Sequence, residues 1–170
     1  MDTQKDNSID TQERLKQLLR EIEYCMMTTI DQDGSLRSRP MLTLQENDGD
    51  LWFFTAIDMA KVEEIRGDNR VNLSYVSKGQ DKFASVSGRA MVLHDADKMK
   101  KLWEPSFKAW FPEGLDDPHL CLIKVSPDYA EYWDTPSAPI ARLVGLFQSM
   151  ASGKPASVGE NAKIDLKESG

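Results

Sequence analysis

The chain has 170 residues, 40% hydrophobic and 29% charged, which fits one globular domain with an ordinary core and no need of disulfide staples. Its formal net charge of −7 disfavours general nucleic-acid binding, since an acidic surface repels phosphate backbones, but leaves room for a local site for one small anion. No run approaches the ~18 apolar residues of a membrane span, and the polar opening MDTQKDNSIDTQERL contains no leader-like apolar segment, so a cytoplasmic protein without membrane partners is expected.

Residues 1–10 read as a flexible tail. Asp10 or Thr11 then offers a cap for a helix whose Leu15, Leu18, Leu19 and Ile22 recur at three- and four-residue spacing. A β-rich block follows: YCMMTTI (24–30), SLRSRPMLTLQ (35–45) and LWFFTAI (51–57), joined by the turn sequences DQDG and ENDGD. At 58–68 the period changes; Met59, Val62 and Ile65 mark a short helix, with Asp58 as its expected N-cap and Gly67 near its end. Two more strands, 70–77 and 83–95, come next, the second bent at Gly88. A helix from Ala96 to about Lys108, a loop WFPEGLDDPH with aromatics at its tip (110–119) and a strand 120–134 kinked at Pro127 complete the main body. A last short helix is expected at 142–151, and residues 152–170 are small, polar and charged enough to be disordered. Residues 11–151 thus form the domain: about six antiparallel strands closing into a small barrel, with three or four peripheral helices.

Cys25 and Cys121 both lie in apolar strand-like runs and are expected to be buried, reduced thiols. His94 and His119 stand far apart without ligand spacing, so no zinc site is expected. G-x-S-x-G, P-loop and G-x-G-x-x-G patterns are absent. What remains is a constellation for an anion. Strand pleat puts Arg37 and Arg39 on one face with Met41 and Thr43, beside a Pro40 that cannot donate to a ladder. A solvated strand face would explain two arginines; so would a bound phosphate, which a guanidinium fork matches bidentately. Lys61 falls in the first turn of the short helix, where a cation opposes the helix dipole unless a negative ligand is near. Phe54 and its neighbours Trp52 and Phe53 lie between these cations, and Trp103, Trp110, Phe111 and Trp133 follow later. Most such aromatics serve a core. Trp110, followed at once by Phe-Pro-Glu-Gly, sits on a loop where ligands and partners are met.

SLRSRPM, LWFFTAIDMAKVEEI, FASVSGRA and LWEPSFKAWFPEGLDDPHLCLIKVSPDYAEYWD occur in the order found in the general stress protein 26 branch of the pyridoxamine 5′-phosphate oxidase-like family, which the chain resembles over about residues 12–135. The resemblance implies a split β-barrel, mainly β, usually a homodimer with FMN held at the subunit interface. Arg39 matches the strand arginine on the flavin phosphate, with Pro40 and Met41 running beside it, and Lys61 matches the helix lysine on the same phosphate. Phe54 and Thr55 match the strand end that lines the isoalloxazine ring. Arg37 ranks below Arg39. Trp110 and Trp133 match aromatics of the family's WFP…EYWD block, with contact to flavin from the second subunit. Asp58 stands where the family often has a small hydroxyl residue, and a carboxylate cap there would compete with phosphate. The implied activity is that of an FMN-dependent oxidoreductase with a stress-related role and an unknown small-molecule substrate. A non-catalytic flavin-binding or stress-sensing dimer, an interaction module without cofactor, and use of FAD or a deazaflavin stay open. The pyridoxamine reaction itself is not implied, because the chain ends in GKPASVGENAKIDLKESG rather than the oxidases' C-terminal substrate segment.

Overall fold

A computed structural model describes residues 3–44, 48–79, 82–134 and 160–166. Helix α1 spans Thr3–Glu21, so it begins well before Asp10 and takes in most of the segment expected to be a flexible tail. No glycine or proline interrupts residues 3–21, and a helix anchored by its C-terminal half propagates backwards at little cost. The anchor is apolar: Leu15, Leu18, Leu19 and Ile22 are all buried.

The strands are β1 (Tyr24–Ile30), β2 (Leu36–Leu42), β3 (Leu51–Ala56), β4 (Arg70–Val76), β5 (Lys82–Leu93), β6 (Leu120–Asp134) and β7 (Glu160–Asp165). The β1–β2 turn has the chemistry its sequence promised: Gly34 takes a φ of 81°, and the Asp33 carboxylate accepts from the Ser35 amide at 2.9 Å. Helices α2 (Ala60–Gly67) and α3 (Ala96–Leu102) pack around the sheet. The Asp95 side chain caps α3 by accepting from the Lys98 amide at 2.9 Å. The helix ends earlier than expected because Pro105 cannot continue it; residues Pro105–Ala109 turn as 3-10 helix instead.

All pairings are antiparallel, in the order β2-β1-β4-β5-β6-β3, with β7 added on β6. Among the described residues the two ends of the sheet meet at one bridge, Leu44 just past β2 to Trp52 on β3, so the barrel is split rather than closed as the strand count suggested. Pro40 gives one reason: it withholds an N–H from β2, a strand that is paired on one side only. The long strand β6 gives another. It runs beside β5 from Leu122 to Asp134, but its other edge pairs β3 through Leu120–Val125 and β7 through Tyr129–Asp134. Between the two halves the register slips by one residue at Ser87/Gly88, leaving Asp128 unmatched beside Pro127. Only glycine fits at 88, since a Cβ there would lie 2.4 Å from the Ser126 carbonyl oxygen. The Asp128 carbonyl accepts instead from the Leu166 amide at 2.9 Å, fixing the end of β7.

Strand β7 corrects the expectation of a disordered stretch over 152–170. In ENAKID, Ile164 is buried and Ala162 packs against the core, while the alternate residues Lys163 and Asp165 are exposed. The helix expected at 142–151 lies outside the described residues. Alternation along β3 divides the interior. Phe53 enters the main core with Leu18, Met27, Leu73, Val86 and Tyr132, whereas Trp52 and Phe54 enter a second core with Met99, Leu102, Phe107 and Leu122. Both cysteines are free and buried.

Candidate functional site

On β3 the residue after Phe54 returns to the Phe53 side, and Thr55, buried, faces α2. Helix α2 starts at Ala60 because the Met59 amide bonds back to the Ala56 carbonyl and Met59 then adopts extended angles (φ −77°, ψ 142°). Met59 is therefore the N-cap, and it makes no side-chain capping bond. Asp58 is one residue too early to cap, which removes the expected competition between its carboxylate and an anion for the helix N–H groups.

In the first turn of α2, the Lys61 ammonium donates to the Thr55 hydroxyl at 3.2 Å. Lys61 is half-buried, and burial pushes its pKa below the usual lysine value; repulsion from the Arg39 guanidinium lowers it further, against smaller opposing effects of Cys121 and Glu64. Arg39 comes from β2, and its fork is clasped from below. Its Nη2 donates to Glu64 Oε2 at 2.7 Å, its Nη1 donates to the Thr29 hydroxyl, and that hydroxyl donates in turn to the same Glu64 oxygen. Thr29 is fully buried and Glu64 is 7% exposed, while the Arg39 side chain keeps 21% of its surface.

The cluster therefore holds two cations against one carboxylate, with the lysine in an environment that disfavours its own charge. An anion placed between Arg39 and Lys61 would offset both the repulsion and the desolvation. Three of the five guanidinium N–H groups are left over by the clasp, enough to meet phosphate oxygens. The donor set thus fits a phosphate group.

Other expected site residues have different surroundings. Arg37 is a solvated partner of Asp31 at the β1–β2 turn, Nε to Oδ2 3.2 Å. Pro40 is exposed and Met41 buried in the main core. Phe54 meets Trp103, Phe107 and Phe111 edge-to-face with centroids 5.5, 5.6 and 6.3 Å away. Trp110 is 61% exposed, and Trp133 is exposed on β6 opposite Phe83. In the single chain the structure brings Arg39, Thr55 and Lys61 together. Sequence reasoning missed Thr29 and Glu64. Glu64 follows Lys61 by three residues, which resembles an ordinary exposed helix pair; only its place beside buried Val62 and Ile65 hinted otherwise.

A cavity of about 610 Å³ lies between α1 and the 48–51 turn, and one of about 360 Å³ lies beneath Trp103 and Trp110. Neither is lined by Arg39 or Lys61. Size and charge therefore point to different places, and charge decides the site, because among the described residues this cluster pairs two partly buried cations with a single carboxylate.

Residues 10–156 match the sequence profile of the family described as pyridoxamine 5′-phosphate oxidase like. The chain belongs to that family. It is 30% identical to Protein bli-3 of Neurospora crassa, over 98% of this chain and 88% of that one. It is 27% identical to General stress protein 26 of Bacillus subtilis, over 72% of this chain and 87% of that one, which agrees with the branch read from the sequence. Among solved structures, the general stress FMN/FAD binding protein of Xanthomonas citri is 34% identical and superposes with a TM-score of 0.63, over 74% of this chain and 89% of that one. No described helix is long and apolar enough to cross a membrane.

Proposed function

We propose that this protein binds FMN, with Arg39 and Lys61 on the phosphate, and works as a cytoplasmic flavin-dependent oxidoreductase with a stress-related role. The observation that carries the reading is the convergence of Arg39 from β2 and Lys61 from α2 on one half-buried spot where Glu64, the acid bonded there among the described residues, is already clasped to Arg39. The X. citri relative, described as an FMN/FAD binding protein, supports flavin as the ligand. Flavin would supply hydride and electron transfer; this chain's residues would bind and orient it. Thr55 holds the Lys61 ammonium in place, and Pro40, Met41 and Phe54 belong to the strand stretches that flank the cations.

The same reading includes a homodimer. The outward positions of β1, β2, β4 and β5 carry exposed Tyr24, Met26, Leu36, Val76 and Phe83, interspersed with Thr28, Ser38, Asn72, Ser74, Ser85 and Ser87. Arg70 and Arg89, cross-strand partners, sit at one end of this face and leave the rest of it uncharged in a chain that is 29% charged, as the centre of a subunit interface would be. A second subunit would cover that face and bring Trp110 and Trp133 to the flavin, with Arg37 at the margin.

The test is titration of the wild type and Arg39→Ala with FMN and with riboflavin. Loss of one charge-assisted contact to phosphate should weaken FMN by roughly tenfold or more, with riboflavin unaffected. Arg39→Ala binding FMN as tightly as the wild type would remove the assignment. Oxidation of NAD(P)H by the flavin-loaded protein then separates an oxidoreductase from a flavin-binding protein that does not turn over.

A further inference from the structure

We infer that Glu64 is a positioning residue for the anion site: it holds the Arg39 fork so that the unclasped N–H groups face the ligand. The inference rests on the phosphate reading of Arg39 and extends it to residues that do not touch the ligand.

A carboxylate beside an anion site calls for a reason, since by charge alone it repels the ligand. Here the reason is geometric. Arg39 reaches the site from strand β2 on a long, flexible side chain, which loses much rotamer entropy if the ligand alone must order it. The clasp does that ordering in advance. Nη1 is held by Thr29, Nη2 by Glu64, and Thr29 is itself tied to Glu64, so the guanidinium plane is fixed by three mutually supporting bonds. Thr29 and Glu64 are buried, so water does not compete easily for either. They come from β1 and α2, two elements that pack on each other, while Arg39 comes from β2. The clasp thereby sets the arginine strand against the lysine helix, and both cations take their places before a ligand arrives. Preorganisation of this kind raises affinity by lowering the ordering cost.

One detail makes the idea separable from plain electrostatics. Both bonds to Glu64 end on a single oxygen, Oε2. The lone amide oxygen of a glutamine can accept both, so Glu64→Gln keeps the clasp and removes the charge. Glu64→Ala removes both. Thr29→Val removes the hydroxyl bridge at unchanged charge and nearly unchanged shape.

The experiment measures FMN and riboflavin dissociation constants for the wild type, Glu64→Gln, Glu64→Ala and Thr29→Val, and for Glu64→Ala in the Arg39→Ala background. Thermal melts of the ligand-free proteins, with and without inorganic phosphate, run in parallel. Positioning predicts that Glu64→Ala and Thr29→Val weaken FMN about tenfold while riboflavin holds. Glu64→Gln should stay within about threefold of the wild type, and Glu64→Ala should cost nothing further once Arg39 is gone. Tighter FMN binding by both Glu64 variants would overturn the inference, because the carboxylate would then act only as a repelling charge. An undiminished effect of Glu64→Ala without Arg39 would overturn it too. If Glu64→Ala fails to fold, Thr29→Val and Glu64→Gln still decide. A wild type that ignores FMN but is stabilised by phosphate in a manner that Glu64→Ala abolishes and Glu64→Gln keeps would discard flavin and retain the clasp. A protein unmoved by either ligand would discard both.

Discussion

At the scale of single residues, Lys61 shows what the site costs the ligand-free protein. Its folded pKa lies below the unfolded value near 10.5, so between the two values the unfolded chain holds more protons. Stability of the ligand-free protein should therefore rise with pH through that window, and at neutral pH the charged lysine opposes folding. Lys61→Met is expected to raise the melting temperature of the ligand-free protein while weakening FMN. For the same reason FMN affinity should fall as pH enters that window, earlier than an ordinary lysine would dictate, with no parallel fall for riboflavin. A pH series of FMN and riboflavin titrations checks this. Arg37 provides the contrast: it is a solvated ion pair with Asp31, and Arg37→Ala should change FMN binding by no more than about twofold. The sequence made Arg39 and Lys61 readable, because a strand arginine next to Pro40 and a lysine in a first helical turn are both locally odd. Pleat alone did not separate Arg37 from Arg39, which only the family resemblance ranked, and local pattern hid Glu64 and Thr29, whose roles depend on β1 and α2 meeting. The turn before α2 was misread by one residue, placing Asp58 where Met59 stands.

At the scale of elements, the bend in β5 and β6 was visible at both of its ends, in Gly88 and Pro127. What joins them, the slipped register and the unmatched Asp128, exists only once the strands pair. Gly88→Ala forces a Cβ onto the Ser126 carbonyl, which backbone cannot easily relieve, and should destabilise by about 3 kcal/mol in a urea titration. Strand β7 was not legible. A six-residue run with two apolar residues among charges looks like a polar tail until β6 offers it a free edge and the core offers Ile164 a place. Ile164→Ala should cost about 2 kcal/mol, read in the same titration; no change would mean that β7 does not contribute to the folded state. The apolar periodicity of α1 was legible in its second half, where packing sets it, and its start was not, because propensity alone does not stop a helix that lacks glycine and proline.

At the scale of the whole molecule, six of the seven strands and their antiparallel pairing followed from alternation and turn chemistry, while closure did not. Whether β2 meets β3 depends on where β6 changes partners, which no local pattern encodes. The outer face of β1, β2, β4 and β5, charged only at the Arg70–Arg89 end among the described residues, leads to an assembly prediction. The wild type should sediment as a dimer, and Met26→Glu, at an exposed position that leaves the core untouched, should shift it to monomer with its far-UV spectrum intact. A monomeric wild type would remove the dimer from the account. The central claim is that half-buried Arg39 and Lys61 await a flavin phosphate. The visible absorption spectrum of the purified protein, recorded after addition of FMN and desalting, tests it most directly. Flavin bands that survive desalting in the wild type and vanish in Arg39→Ala are the predicted result. A wild type left colourless by the same treatment would contradict it.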